Sequence, residues 1–204
     1  MLTKIFFERN PELVAKDLLG KLLVRKNGDR YQISKVVETE AYLGSSDKAS
    51  HSYNGITKRN TPMFGPAGYS YVYFTYGIHW LLNIVTEKER KPSAVLIRAV
   101  EPLVDSQINI SSFNFSEKRK IGSGPARLTR WMNINGDMNN IDISKRQDFW
   151  FTNEIEFAGE KIIAQQMNFE NIISASRVGV ESAKEDKDLL LRFYIKDSRY
   201  ISKI

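Results

Sequence analysis

Two carboxylates and an aromatic ring alternate at the end of an apolar stretch, in Val37-Glu38-Thr39-Glu40-Ala41-Tyr42. In a β-strand successive side chains point to opposite faces, so Glu38, Glu40 and Tyr42 would share one face. A carboxylate beside an aromatic ring can act as a general acid or base next to a platform for a planar ligand. A charged strand end that faces solvent has the same spacing, so the pattern alone leaves both interpretations open.

A second group of aromatic side chains lies in Tyr69-Ser70-Tyr71-Val72-Tyr73-Phe74-Thr75-Tyr76, a composition typical of a strand. Tyr71 and Tyr73 would point to one face, where such rings either pack in a core or stack on nucleobases at about 1–3 kcal/mol each. Tyr76-Gly77 lies between two strand-like runs, which places it at a hairpin tip. A ring exposed at such a tip could act as a wedge between stacked bases.

Three polar residues stand out by their surroundings. His51 lies in the long polar segment 44–68, where it is either a hydrogen-bonding partner for a ligand or a surface residue. Asn83 and Arg98 each interrupt an apolar run. A buried polar group without a partner costs roughly 1–3 kcal/mol. These two side chains therefore face either a polar site or the solvated side of a strand.

Basic residues outnumber acidic ones, since 30 Lys and Arg against 24 Asp and Glu give a net charge of +6. This surplus suits a polyanionic partner such as nucleic acid. Lys118-Arg119-Lys120, Arg127 and Arg130 form a cationic cluster, and Ser123-Gly124-Pro125 offers backbone N–H groups that suit a phosphate. A solvated charged face is the alternative interpretation of this cluster.

The composition excludes several classes of site. The 204 residues contain no cysteine, which excludes disulfides, thiol nucleophiles and cysteine metal sites. The two histidines, His51 and His79, do not favour a zinc site, and phosphate-loop, dinucleotide-binding and serine-hydrolase motifs are absent. With 42% hydrophobic and 26% charged residues, no signal peptide and no apolar run near the about 20 residues of a membrane span, we expect a soluble, cytoplasmic globular protein.

Apolar periodicity and turn residues predict a single α+β domain with a mostly antiparallel sheet. Helices are predicted at residues 10–19 and 123–131, and a weaker helical pattern covers 162–167. Strands are predicted at residues 21–26, 31–42, 69–76, 80–85, 94–100, 172–180 and 189–195. Residues 105–115 and 181–188 fit either short helices or loops.

One set of motifs runs along nearly the whole chain, from about Phe6 to Ser202, and its most specific part is Val37-Glu38-Thr39-Glu40-Ala41-Tyr42-Leu43-Gly44. The other motifs are Ala49-Ser50-His51-Ser52, Thr57-x-Arg59, Met63-Phe64, Pro66-x-Gly68, Tyr71-Val72-Tyr73-x-x-Tyr76-Gly77, Asn83, Val95-Leu96-Ile97-Arg98-Ala99-x-Glu101-Pro102, Gly122-Ser123-Gly124-Pro125-x-x-Leu128, Ser176-Arg177-Val178-Gly179-Val180 and Leu191-Arg192-Phe193-Tyr194. Together they closely resemble the alkyladenine (3-methyladenine) DNA glycosylase family shared by mammals and many bacteria. The resemblance implies one glycosylase domain over residues 1–204, with a curved, mostly antiparallel sheet surrounded by helices and a protruding β-hairpin.

The resemblance also implies an activity. The chain would remove damaged purines such as 3-methyladenine, hypoxanthine and ethenoadenine from double-stranded DNA, which initiates base excision repair. The damaged base would be flipped out of the duplex, because a stacked base cannot be reached. Glu40 would be the general base that activates water at the deoxyribose C1′, and Arg98 would hold this water and a nearby phosphate.

Further site residues follow from the same resemblance. Tyr42 and His51 would line one side of the base pocket and Tyr73 would stack on the other, while Asn83 at the floor disfavours the exocyclic amine of guanine. Tyr76 would fill the gap left in the duplex. The remaining implied DNA contacts are Arg59, Lys120, Ser123 and Arg127. Neither a metal nor an organic cofactor is implied. The expected partner is double-stranded DNA with a damaged purine. The protein is expected to act as a monomer and to bind no membrane.

Other activities remain open on the residues alone. A protein of this fold could bind damaged nucleic acid without cutting it, a hydrolase could act on free nucleosides, and an amine nucleophile could open a lyase route. A carboxylate such as Glu40 facing a polyanion argues against a pure binder, and the basic surplus with an exposed Tyr76 argues against a nucleoside hydrolase. Ile78-His79-Trp80 departs from the family pattern beside Tyr76, and the role of Glu38 stays open.

Overall fold

The computed structural model describes residues 1–145 and 147–203. Its strands are β1 (Leu22–Asn27), β2 (Arg30–Tyr42), β3 (Ser70–Thr75), β4 (His79–Thr86), β5 (Ser93–Asp105), β6 (Phe149–Thr152), β7 (Glu154–Phe157), β8 (Glu160–Ile163), β9 (Ile172–Ala175) and β10 (Arg192–Ile195). The α-helices are α1 (Lys4–Phe7), α2 (Pro11–Leu18), α3 (Phe115–Gly122) and α4 (Pro125–Trp131). Short 3₁₀ helices span Gly44–Ser46, Thr61–Phe64, Ile110–Ser112, Gly136–Met138, Ile143–Lys145, Phe169–Asn171 and Glu181–Asp188. In the part of the chain so described, none of the helices combines the length and hydrophobicity that crossing a bilayer requires.

The main sheet has eight strands and is built around β2 and β5. Its path is β3-β4-β5-β2-β1-β6, and β10 pairs with β2 and with β9. The edge of β2 that does not pair with β5 is shared by two strands. β1 pairs with its first half and β10 with its second half, both antiparallel. β7 and β8 form a separate hairpin. This curled antiparallel sheet, with helices packed on it, confirms the predicted α+β class.

The pairing of β2 with β5 is irregular between Ile33 and Ser34 and again around Glu38. The register shifts between Val36 and Glu38 and again between Glu38 and Thr39, so Arg98 on β5 is passed over in the ladder. Such bulges bend a strand and re-aim its side chains. Around Glu38 the bulges lie at two charged residues of largely apolar strands, Glu38 on β2 and Arg98 on β5.

The core lies between the sheet and α2. The side chain of Asn10 accepts the Glu12 N–H at 2.8 Å, which caps α2 as its sequence predicts. Thr39 on β2 donates its hydroxyl to the Ala15 carbonyl at 2.9 Å, which fixes the helix against the strand. The completely buried apolar residues here include Val14, Leu18, Val36, Ile84, Ile97 and Phe193.

The hairpin of β3 and β4 protrudes as expected. Thr75 pairs with His79, and the Ile78 N–H donates to the Thr75 carbonyl at 3.2 Å. Tyr76 and Gly77 between them have φ of 52° and 69°, and two positive values are what a type I′ turn requires. A bulky residue rarely adopts positive φ, so the turn holds the Tyr76 ring outward in a conformation that local preference alone would not choose.

The structure corrects the predictions for the last third of the chain. Residues 162–167 are not helical, because Ala158 and Gly159, at φ 52° and 82°, close the β7–β8 hairpin, and β8 runs to Ile163. The strand predicted at 172–180 ends at Ala175, and the one predicted at 189–195 begins at Arg192. β6 and β7 were not predicted, since short apolar runs do not separate a strand from a buried helix segment.

The predictions around α3 were incomplete. Within 105–115 the structure has a 3₁₀ turn at Ile110–Ser112, and α3 begins at Phe115. The Asn114 side chain accepts the Glu117 N–H at 3.0 Å, and the Glu117 carboxylate accepts the Asn114 N–H at 2.8 Å. Asn-x-x-Glu is the signature of such a capping box, so this helix start was available in the sequence.

Candidate active site

A cavity of about 340 Å³ opens beside the end of β2, within the range of about 300–1,000 Å³ typical of small-ligand pockets. Its walls come from β3, β4 and β5, from the start of α4 and from residues 178–180. Tyr42, His51, Tyr73, Asn83 and Arg98 line it together. These side chains come from distant parts of the sequence, and most are placed by the register of the sheet. Among the described residues, no group of three or more His, Asp or Glu side chains is arranged to hold a metal ion.

Glu40 lies directly behind this cavity, and its side chain is fully buried. Its Oε1 accepts the Val178 N–H at 2.8 Å and lies 3.2 Å from Arg98 Nη1, while its Oε2 accepts the Tyr42 hydroxyl at 2.8 Å. All three partners line the cavity. Because a carboxylate offers about four lone-pair sites, these three contacts leave one of them unfilled.

The protonation states of the partners suit this arrangement. Burial raises the pKa of Tyr42 well above its usual range, and the charge of Glu40 adds to the effect. The Tyr42 hydroxyl therefore stays protonated and donates a hydrogen bond to Glu40. Burial works to lower the pKa of Arg98, but the carboxylates of Glu40 and Glu38 outweigh it and the net shift is upward. Arg98 thus stays a cation beside Glu40.

His51, Tyr71 and Tyr73 form one packed aromatic group in the wall of the cavity. The His51 and Tyr73 rings meet edge-on with centroids 4.6 Å apart, and His51 Nδ1 lies 2.9 Å from the Tyr71 hydroxyl. Tyr42 lines the same cavity. The structure thus brings Tyr42, His51 and Tyr73 together, and the sides of a bound base that they would occupy stay a prediction. Burial raises the pKa of Tyr73 and brings that of Tyr71 to about 12, so both hydroxyls stay protonated.

His51 is expected to stay neutral well below neutral pH. Desolvation by the surrounding rings, and secondarily the charge of Arg59, lower the pKa of His51 to about 4. The unfolded chain, with a His pKa of about 6.5, then binds more protons than the folded chain, so this contribution to stability is present at pH 7 and is lost as the pH falls from about 6.5 through 4. An NMR titration of the two imidazole rings measures the pKa, and urea unfolding of wild type and His51→Gln at several pH values measures the linkage. His79→Gln is the matched control, and a His51 ring that titrates near 6.5 would contradict the prediction.

The two polar residues within apolar strands both face the cavity. Asn83 is 4% exposed, and its amide donates to the Tyr71 carbonyl at 3.1 Å. Arg98 is similarly buried and contacts two carboxylates. Both side chains line the cavity rather than a solvated strand face, which settles the alternatives that the sequence left open.

Two predicted DNA-binding residues lie on the β3–β4 hairpin or against it. Tyr76 is 86% exposed at its tip. Arg59 is also exposed, yet its guanidinium donates to the Phe74 carbonyl at 3.2 Å and lies 4.9 Å from the centroid of the Tyr73 ring. Arg59 therefore supports the back of the aromatic wall while its charge reaches the surface.

The cationic cluster around α3 and α4 is only partly as predicted. Lys120 and Arg127 are exposed. Ser123 is buried, its hydroxyl donates to the Ile201 carbonyl at 2.8 Å, and its N–H donates to the Arg119 carbonyl at 3.1 Å. The Gly124 N–H donates to the Gly122 carbonyl. The free phosphate-binding N–H groups predicted at Ser123-Gly124 are therefore already bonded within the protein.

Sequence reasoning gave no role to Arg177 and Val178, which lie beside Tyr42 and Glu40 at the cavity. Arg177 and Asp47 form a completely buried ion pair, with two contacts of 2.5 and 2.8 Å. The Arg177 guanidinium also lies 4.9 Å from the centroid of the Tyr42 ring. The next residue, Val178, gives Glu40 its N–H. The run 176–180 stood out as a motif, but a backbone donor cannot be identified from residue type.

Comparisons with known proteins identify the family of the chain. The family model of methylpurine-DNA glycosylase matches residues 5–199. A protein of Legionella pneumophila (strain Lens), provisionally named as a 3-methyladenine DNA glycosylase, is 45% identical over 202 residues, covering 99% of this chain and 98% of the relative. Relatives with the same provisional name in Clostridium novyi (strain NT) and Carboxydothermus hydrogenoformans are 41% and 40% identical, covering 99% and 100% of this chain and 98% and 99% of their own lengths. The chain therefore belongs to the methylpurine-DNA glycosylase family and is a DNA N-glycosylase of base excision repair.

Proposed function

We propose that the chain flips an alkylated or deaminated purine out of double-stranded DNA into the 340 Å³ cavity and hydrolyses its N-glycosidic bond with water activated by Glu40. The proposed substrates are 3-methyladenine, hypoxanthine and ethenoadenine. The observation that carries this proposal is the buried Glu40 carboxylate directly behind an aromatic cavity, in contact with Tyr42, Arg98 and Val178 of its lining. Because no buried side chain can reach a base inside a duplex, the proposal requires base flipping.

The chemistry follows from the contacts of Glu40. Water at its remaining acceptor site would give a proton to the carboxylate while its oxygen attacks C1′, and the departing base would keep the electrons of the broken bond. The sugar becomes oxocarbenium-like and positive, which a fixed carboxylate stabilises. Arg98, whose Nη1 lies 3.2 Å from Glu40 Oε1, would hold the water and a neighbouring phosphate.

The cavity lining supports the choice of purines. A base that carries positive charge, such as 3-methyladenine, is attracted to electron-rich rings such as Tyr42 and Tyr73. Its glycosidic bond is already weakened, so it needs little help to leave. Neutral hypoxanthine and ethenoadenine would need a proton, so their release should depend more on pH. Asn83 at the floor would disfavour the exocyclic amine of guanine.

The proposed DNA surface surrounds the mouth of the cavity. Tyr76 would occupy the gap in the duplex, and the exposed charges of Arg59, Lys120 and Arg127 would contact phosphates. For Ser123 the buried hydroxyl supports only an indirect part in DNA binding. We place both binding and catalysis in one domain over residues 1–204, acting as a monomer.

A single-turnover assay with one deoxyinosine in a DNA duplex tests the proposal. We expect free hypoxanthine and an abasic site, and no release from free deoxyinosine. Binding without base release would indicate a recognition module. Equal release from the free nucleoside would indicate a nucleoside hydrolase, and a complex trapped by borohydride would indicate a lyase. Each of these three outcomes would overturn the proposal.

Tyr76→Ala is expected to weaken binding to duplex DNA that carries an abasic-site analogue. Base–aromatic stacking contributes about 1–3 kcal/mol, so Kd should rise about 5- to 150-fold. Fluorescence anisotropy at fixed salt measures the change. Tyr76→Phe keeps the ring and should bind like wild type, whereas equal losses in both variants would show that the hydroxyl, not the stacking, matters.

A further inference from the structure

The C-terminal residues 201–203 lie against buried charges behind the cavity, and the proposed reaction gives them no part. The Ser202 N–H donates to Glu38 Oε2 at 2.6 Å, and the Ser202 hydroxyl donates to Glu38 Oε1 at 3.0 Å. The same hydroxyl accepts from Arg98 Nη2 at 3.0 Å and from Arg98 Nε at 3.3 Å. One serine near the chain end thus joins a buried carboxylate to the guanidinium beside Glu40.

Other contacts hold this tail in place. Arg192 donates to the Lys203 carbonyl at 2.8 Å and to Glu38 Oε1 at 3.0 Å. Ser123 donates to the Ile201 carbonyl at 2.8 Å. Residues 201–203 are therefore hydrogen-bonded to β10, to β2 and to Ser123 between α3 and α4, so the tail has a fixed position.

Glu38 is the centre of this cluster and is completely buried. It accepts from Arg98 Nε at 3.3 Å as well as from Arg192 and Ser202. Two carboxylates, Glu38 and Glu40, and two guanidinium groups then share one buried region with balanced formal charge. Burying such charges is tolerable only when each is paired and hydrogen-bonded.

The guanidinium of Arg98 bridges the two carboxylates. Its Nε and Nη2 meet Glu38 and Ser202, and its Nη1 lies 3.2 Å from Glu40 Oε1. Because a guanidinium is planar and its donors form a rigid fork, holding one edge sets the direction of the other. Without the Ser202 hydroxyl, Arg98 Nη2 loses its Ser202 hydrogen bond, and Nε keeps only Glu38 of its two partners.

We propose that Ser202, together with Glu38, is a positioning residue that aligns Arg98 on Glu40, so that the C-terminal tail completes the active site from behind. The inference rests on the proposed roles of Glu40 and Arg98. A misplacement of reacting groups by about 1 Å can cost about 10²-fold in rate. Loss of the Ser202 hydroxyl should therefore slow the chemical step without changing the surface that meets DNA.

The test compares Ser202→Ala with wild type. We expect a single-turnover rate of hypoxanthine release from duplex DNA lowered about 10- to 100-fold, with an unchanged Kd for a duplex carrying an abasic-site analogue. Ser202→Thr retains a hydroxyl and should recover most of the rate. Ser198→Ala is the matched control, because in the described part of the chain the Ser198 hydroxyl accepts the Tyr200 N–H at 3.4 Å and bonds neither Glu38 nor Arg98. Glu38→Gln is a poorer test, since it leaves two buried cations with less counter-charge and lowers stability as well.

The outcomes separate this inference from the proposed function. If wild type releases no base, the proposed function fails. If wild type is active and Glu40→Gln is not, but Ser202→Ala matches wild type or Ser198→Ala, the positioning role alone is overturned. A loss of rate in Ser202→Ala accompanied by an equal loss of DNA binding, or one that Ser202→Thr does not recover, would indicate a purely structural role and would also overturn it.

Discussion

Glu40→Gln is expected to lower the single-turnover rate of hypoxanthine release by about 10²- to 10⁴-fold, the usual contribution of a positioned general base. Glutamine keeps the shape of the side chain and one oxygen for the Val178 N–H, which Glu40 accepts at 2.8 Å. It cannot take a proton from water, and it removes the negative charge that would face a positive sugar. A rapid-quench assay with enzyme in excess over a duplex containing one deoxyinosine measures the rate.

Binding by the same variant should be intact or tighter, because a negative charge near a polyanion is removed. Glu101→Gln is the matched control, since this partly exposed carboxylate also lies on the central strand pair but contacts Lys35, away from the cavity. Wild-type rates are expected for it. Base release by Glu40→Gln at the wild-type rate would remove Glu40 from the mechanism. A parallel loss in Glu101→Gln would attribute the effect to the strand pair rather than to the carboxylate.

Several elements of the fold could be predicted from sequence because their signals are local. Aromatic and β-branched residues on both sides of Tyr76-Gly77 indicate a hairpin, and the structure has β3 and β4 there. Asn10 and Pro11 mark the start of α2. In each case neighbours within a few residues decide the conformation, so one sequence suffices.

Tertiary context decided the rest of the fold. The run that became β8 is too short to show its period, and its conformation depends on positive φ at Ala158, where alanine gives no turn signal. The register shifts around Glu38 are likewise invisible, because a bulge depends on how two strands meet. The predicted strand 172–180 stops early, since from Arg177 onward the chain turns inward to pair with Asp47.

The site residues divide in the same way, into those with a signal in the sequence and those placed by tertiary contacts. Glu40 and Asn83 stand out because polar side chains end or interrupt apolar runs, but their roles and that of Tyr73 are implied only by the family resemblance. The Val178 N–H is a property of every residue type but proline, so only its position reveals it. Ser202 reaches Glu38 across 164 residues of sequence, and no spacing rule connects them.

Arg177→Met is expected to destabilise the protein by about 3–5 kcal/mol, the usual effect of removing one partner of a buried ion pair. Asp47 and Arg177 are both 0% exposed in their side chains, and the guanidinium also donates to the Ala41 carbonyl at 3.0 Å. Burial works to lower the pKa of Arg177, but hydrogen bonding to Asp47 and its charge outweigh this and raise it, so the guanidinium is a cation at neutral pH. Urea unfolding at pH 7 measures the loss, which is large against a typical total of about 5–15 kcal/mol.

A neighbouring pair supplies the control. Lys48 and Glu185 are also in contact, but Glu185 is 69% exposed. Lys48→Met should therefore destabilise the protein far less than Arg177→Met. The double variant Asp47→Asn/Arg177→Met removes the stranded charge and should be less destabilised than the sum of the two single variants. Equal effects of Arg177→Met and Lys48→Met would mean that the buried pair does not hold this region together. Val178 follows Arg177 and donates its N–H to Glu40. Such a result would therefore also show that the position of the Glu40 carboxylate does not depend on the ion pair.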